Sequence, residues 1–204
     1  MADSKLRVLL KSRVADKVLL PVREELTDRI PPGSTVLDIG CGTGDLLFRS
    51  ALKLSRGWGV DIDKAMITFA EQRRARENIS NIEFICSDIR ETENNDYDIA
   101  TSTLCLHETG IDTACEILEL MINRSGRVLI ADFTSASTLT GKVGIEMDEM
   151  FSGHYRNFRK YKKSGEIPYC AKQVGARITE TVSTEIDGIS IWVIEGKGGH
   201  DKSR

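Results

Sequence analysis

Asp38, Gly40, Gly42 and Gly44 crowd into seven residues, and two further acids, Asp61 and Asp88, follow at the ends of later apolar runs. Val36-Leu37-Asp38-Ile39 has the character of a buried strand and runs straight into the glycines; Leu46-Leu47-Phe48 then opens a helix-like stretch. Glycines at such a turn bring bare backbone up to a ligand, and the helix start behind them presents unpaired N–H groups. That chemistry suits a nucleotide-like cofactor. A carboxylate on the next strand end offers two acceptor oxygens to a pair of ribose hydroxyls. An NAD site has the same ingredients, so these residues leave two cofactor classes open.

Spacing separates the two. Dinucleotide binders favour Gly-x-Gly-x-x-Gly, with the pyrophosphate resting on the helix N-terminus. Here the third glycine comes one residue early and Asp45 follows it. A carboxylate at that helix start is expected to repel a pyrophosphate, and a cofactor without phosphates tolerates it.

The elements that must hold these residues alternate along the chain. A helical stretch at about 4–30 is interrupted near Pro21 and closes at Pro31-Pro32-Gly33. Strands are expected at 35–39, 56–61, 82–87, 97–103 and 127–133, with helices after the glycines to about Leu54, from the N-cap Asp63 to about Glu77, and at 112–123. Such βα units with near-continuous apolar strands indicate a parallel sheet covered on both faces. Residues 134–175 read as helix and loop. Two strands, about 176–185 and 189–196, then meet at Asp187-Gly188, a hairpin signal. The expected division is an N-terminal helical segment at 1–33, a core domain at 34–197 with an insert at about 134–175, and a flexible tail at 198–204.

With these elements in place, the chain resembles the class I S-adenosylmethionine-dependent methyltransferases. Asp38, Gly40, Gly42 and Gly44 meet the acid-x-Gly-x-Gly-x-Gly pattern of that family's first motif, Asp61 its acid at the end of strand two, and Asp88-Ile89 its acid-apolar pair past strand three. The resemblance implies an α/β, Rossmann-like seven-stranded sheet of order 3-2-1-4-5-7-6 with strand 7 antiparallel. It also implies S-adenosylmethionine as cofactor, bound by Asp38, Gly40, Gly42, Gly44, Asp61, Ile62, Asp88, Ile89 and Thr103. In that reading Asp61 takes the ribose hydroxyls and Asp88 the adenine amine. Ile62 and Ile89 flank the ring, and Asp38 lies near the cofactor's amino group.

The acceptor side is read from strand four and beyond. Neither the Asn/Asp-Pro-Pro-Tyr/Phe signature of amino-group methylation nor a Pro-Cys nucleophile is present, and Cys105 is taken as packing. Leu104-Cys105-Leu106-His107 is similar to small-molecule methyltransferases. His107 is the candidate general base or acceptor-orienting group, since imidazole titrates near neutrality. A structural histidine at a strand–loop junction is the competing reading. Glu108 is a weaker candidate, and Asp132 either faces the pocket or ends its strand. Met147, Met150 or Phe151, Tyr155 and Phe158 recur at helical spacing; the resemblance implies a substrate lid here, with Tyr155 as a substrate contact. Arg156, Arg159, Lys160, Lys162 and Lys163 on the same stretch could meet RNA or an anionic acceptor. A solvated helix face is the plainer reading.

Composition limits the rest. The chain has 204 residues, 40% hydrophobic and 29% charged, with a formal net charge of -3. Those values fit one globular domain and give no overall footprint for nucleic acid. Five cysteines show no C-x-x-C pair and no metal-ligand spacing, so no metal is expected. The N-terminus lacks a signal-peptide pattern and no apolar run spans a membrane, so the expectation is a cytoplasmic protein; the resemblance implies a small-molecule acceptor. Acceptor atom and oligomeric state stay open.

Overall fold

The structure, a computed structural model, describes residues 16–136, 138 and 155–197, with Tyr155 as main chain only. Seven strands form one sheet: β1 Thr35–Ile39, β2 Arg56–Asp61, β3 Ile82–Cys86, β4 Tyr97–Thr103, β5 Ser125–Phe133, β6 Ile178–Ser183 and β7 Ile189–Glu195. Their order is β3-β2-β1-β4-β5-β7-β6. β7 alone runs against the direction of the other six strands, as the hairpin at Asp187-Gly188 requires. The register sets Asp38 between Gly59 of β2 and Thr101 of β4, which places the strand-end residues of β1, β2 and β4 side by side.

Both faces of the sheet are covered, which is why its central strands are apolar at successive positions. Val22 and Leu26 of helix Leu20–Asp28, Leu46–Phe48 of helix Asp45–Ser50 and Ile67 and Ala70 of helix Lys64–Arg76 cover one face. Helices Ile111–Arg124 and Glu166–Gln173 cover the other. Helix Tyr155–Ser164 contributes Phe158 to the first core and Tyr161 to the second, so it sits across the end of the sheet.

Several boundaries differ from expectation. The N-terminal helix breaks at Leu19, and Pro21 lies in the first turn of the helix that follows, where a missing N–H costs nothing. The helix after the glycines ends at Ser50 and gives way to a turn at 51–53. A short helix, Leu106–Thr109, follows β4 where alternation gave no sign of one.

The β3–β4 connection carries only a single 3-10 turn, Ile89–Glu91. Arg124 takes the place of a packed helix there. Its guanidinium donates to Ile89 O at 3.2 Å, Thr92 Oγ1 at 2.9 Å, Thr92 O at 3.3 Å and Asn94 Oδ1 at 3.0 Å. The loop so held walls off a cleft of about 390 Å³ against Trp58, Ile85 and Tyr97.

Candidate cofactor and acceptor site

The glycine-rich turn is built by three left-handed residues, Gly40 (φ 67), Gly42 (φ 53) and Gly44 (φ 75). Their reasons for being glycine differ. A Cβ at Gly40 would collide with Cys105, and one at Gly44 with the ring of Phe84. A Cβ at Gly42 would meet no atom within 4 Å. Two of the three therefore serve close packing inside the protein, and Gly42 borders open space. From sequence all three are expected to face the ligand.

Asp61 ends β2 and pins the turn. Its Oδ2 accepts from Gly42 N at 2.8 Å and its Oδ1 from Asp63 N at 2.8 Å. Each oxygen keeps a further lone pair for a ligand hydroxyl. Asp63 in turn caps helix Lys64–Arg76 by accepting from Ala65 N at 2.9 Å, as the sequence predicts. Ile62, between the two acids, is 76% exposed, which leaves an apolar surface beside Asp61 for a flat ring to cover. Ile89 differs: it is buried in the second core.

Asp38 lies under the turn, 2% exposed, with Thr101 Oγ1 donating to its Oδ1 at 2.8 Å. Burial pushes its pKa up to about 7, against the smaller opposing effects of the Thr101 hydrogen bond and the Arg23 charge. Asp88 is more committed than expected. It caps the 3-10 turn through Arg90 N at 2.9 Å, and the Arg90 side chain grips both carboxylate oxygens. That grip holds the Asp88 carboxyl below the usual range. Thr103 at the end of β4 has a buried hydroxyl with no hydrogen-bond partner, as does neighbouring Ser102.

Asp45 overturns part of the spacing argument. It is 5% exposed and lies among Arg23 (3.2 Å), Arg49 (2.6 Å) and Arg73 (3.1 Å), whose hydrogen bonds and charges lower its pKa against the effect of burial. A carboxylate so neutralised would repel a pyrophosphate far less than its sequence position suggests. The glycine spacing still disfavours a dinucleotide; the charge argument does not.

On the acceptor side, β4 leads into Leu104, a non-glycine residue at φ 48, and then Cys105 beneath Gly40. Burial raises the Cys105 and Cys41 thiols well above their ordinary range, which fits packing and not nucleophilic attack. His107 is 1% exposed. Its Nδ1 lies 2.5 Å from Asp132 Oδ1, and its ring packs against Phe133 (4.7 Å), Phe158 (6.1 Å) and Tyr161 (6.3 Å). Asp132 also accepts from Leu106 N at 3.0 Å, His107 N at 3.3 Å and Phe133 N at 2.7 Å, which anchors the short helix to the end of β5. The ring is thus buried among three aromatic side chains. Glu108 contributes its main-chain carbonyl to Asn157 Nδ2 at 2.7 Å. Met147, Met150, Phe151 and the Tyr155 side chain lie outside the described residues. Sequence reasoning missed Thr101 and the Asp16–Thr43 contact; their signals were only hydroxyl residues beside the motifs.

A seven-stranded sheet in this order, with acids at the ends of β1 and β2 around a glycine turn, defines the class I methyltransferase fold. Residues 30–184 match the family model of a methyltransferase domain, and the chain belongs to that family. A solved S-adenosylmethionine-dependent methyltransferase from Aquifex aeolicus superposes with a TM-score of 0.68 at 15% identity, covering 94% of this chain and 98% of that one. A ubiquinone/menaquinone biosynthesis C-methyltransferase of Agrobacterium fabrum is 29% identical over 116 residues, 53% of this chain and 45% of the relative. A malonyl-[acyl-carrier protein] O-methyltransferase of Acetivibrio thermocellus is 44% identical over 70 residues, 33% of this chain and 24% of the relative. The matches thus span under half the length of either curated relative.

Proposed function

We propose that this chain transfers the methyl group of S-adenosylmethionine to a small-molecule acceptor. The observation that carries the reading is Asp61, pinned between the Gly42 and Asp63 amides, beside open space at Gly42 and the exposed Ile62. A carboxylate fixed by main-chain donors, next to an uncovered apolar side chain, suits a ribose joined to a flat base. The unpartnered Thr103 hydroxyl supports the fit, since a buried polar group without a partner is costly.

Asp61 would hold the ribose, Ile62 the face of the adenine, and Asp38 with the Gly40–Gly44 turn the amino-acid end. The bound sulfonium supplies an electrophilic methyl group open to in-line attack. The protein's own work is then to orient the acceptor and exclude water, and positioning of this kind reaches effective molarities of ~10⁵ M or more. Phe133, Phe158 and Tyr161, gathered on the His107–Asp132 pair, offer a firm apolar wall for that purpose. We assign His107 to holding this wall; it becomes a base only if the wall opens.

Two of the relatives are named for ubiquinone/menaquinone biosynthesis and for malonyl-[acyl-carrier protein], which supports a metabolite-like acceptor, while others are named for ribosomal protein L11 and 23S rRNA. The competing reading, RNA or protein as acceptor, rests on Arg156, Lys160 and Lys163, exposed on helix Tyr155–Ser164. The net charge of -3 weighs against it. The free cysteines favour a reducing compartment such as the cytoplasm. No helix among the described residues is long and apolar enough to cross a membrane.

The test is transfer of a labelled methyl group to separated metabolite, protein and RNA fractions. Label in the metabolite fraction supports the proposal. Label confined to RNA or protein overturns its acceptor, and tight cofactor binding with no transfer to any fraction marks a binding protein.

A further inference from the structure

The glycine turn is held from a direction that the methyltransferase match leaves out. Gly42 and Gly44 have no side chains, so Thr43, 3% exposed, is the handle by which the rest of the molecule can grip this stretch. Its hydroxyl donates to Asp16 Oδ2 at 2.8 Å, a buried contact across 27 residues of chain. Asp16 Oδ1 takes Arg23 Nη1 at 2.6 Å, and the same nitrogen reaches Asp45 Oδ2 at 3.2 Å. One strap, 16–28, therefore touches the residues on either side of Gly44. The matched family region begins only at residue 30.

A turn with three left-handed glycines has many conformations open to it in the absence of ties, and ordering it costs more entropy than ordering other residues. Asp61 fixes one side of the turn through Gly42 N. Thr43 fixes the other. A hydroxyl bonded to a carboxylate, itself paired with an arginine and shielded from water, is a charge-assisted contact stronger than an ordinary one.

We propose that Asp16 is a positioning residue for the cofactor: through Thr43 it preorganises the glycine turn, so that the N-terminal strap sets cofactor affinity. The inference rests on the assignment of the turn to S-adenosylmethionine. Asp16 touches no ligand itself. It lowers the ordering cost that the ligand must otherwise meet on binding.

The test compares wild type with Asp16→Ala, Thr43→Val, the double variant and Thr43→Ser. Two quantities are read: the S-adenosylmethionine Kd by calorimetry, and amide hydrogen exchange at 40–45 in ligand-free protein. Asp16→Ala and Thr43→Val are each expected to raise Kd about tenfold and to speed exchange in the turn. The double variant should do no worse than the poorer single one, since both break the same contact. Thr43→Ser keeps the hydroxyl and should stay within about twofold of wild type. Unchanged Kd and unchanged turn exchange in both single variants overturn the proposal, and a drop in Tm alone means the strap merely stabilises. If wild type fails to bind S-adenosylmethionine, the cofactor reading falls; faster turn exchange in the variants still upholds the strap.

Discussion

Asp61 and Asp38 do different work although both are strand-end acids. Asp61 already accepts two main-chain N–H bonds, so its orientation is fixed before any ligand arrives. Asp61→Ala should weaken S-adenosylmethionine binding by about 1–3 kcal/mol, read by calorimetry, because ribose hydroxyls lose their acceptor. Unchanged affinity would remove Asp61 from the site. Asp38 is a titration question. Its pKa is raised from 3.8 to about 7, chiefly by burial. Between those values the folded protein holds a proton that the unfolded chain has lost, so this group makes stability fall as pH rises from about 4 to 7. A cationic amino group binds the ionised form, so cofactor affinity should fall as pH drops below about 7. Asp38→Asn should flatten both profiles. A Kd that is level from pH 8 to 6 in wild type would separate Asp38 from the amino group.

Helix Tyr155–Ser164 decides what can reach His107. Phe158 and Tyr161 fall three residues apart, one on each core, and together they close the end of the sheet over the His107–Asp132 pair. Phe158→Ala should cost about 3–5 kcal/mol in unfolding free energy. It should also open the imidazole to solvent, so that His107 is chemically modified faster in the variant than in wild type. An imidazole equally accessible in wild type would contradict the enclosed wall. The periodicity of Phe158 was legible in the sequence, as was a histidine next to β4. The enclosure was not, because it needs residues from β5 and from a later helix, Tyr155–Ser164, to meet on one ring. The short helix Leu106–Thr109 was hidden for a related reason. Four residues carry no readable period, and its N-terminal amides are met by Asp132 from another strand.

For the molecule as a whole, a ligand that binds only the folded state must stabilise it. S-adenosylmethionine at a hundred times its Kd should add about 2.7 kcal/mol, a rise in Tm of roughly 5–10 °C for a domain of this size. NAD at the same concentration should produce none. An NAD-induced rise would reopen the dinucleotide reading, whose electrostatic exclusion fell once Asp45 proved to lie among three arginines.

The sequence by itself determined the sheet and the place of the glycine turn, because strand hydrophobicity and alternate glycines are local patterns. Gly-rich spacing marked the turn, and Asp187-Gly188 marked the reversal that makes β7 antiparallel. Tertiary structure alone decided which acids are free. Asp61 keeps capacity for a ligand, Asp88 is gripped by Arg90, Asp45 is neutralised, and Asp38 holds its proton near neutrality. A carboxylate's charge, partners and solvent are set by groups brought in from elsewhere in the chain, and no spacing within one motif encodes them.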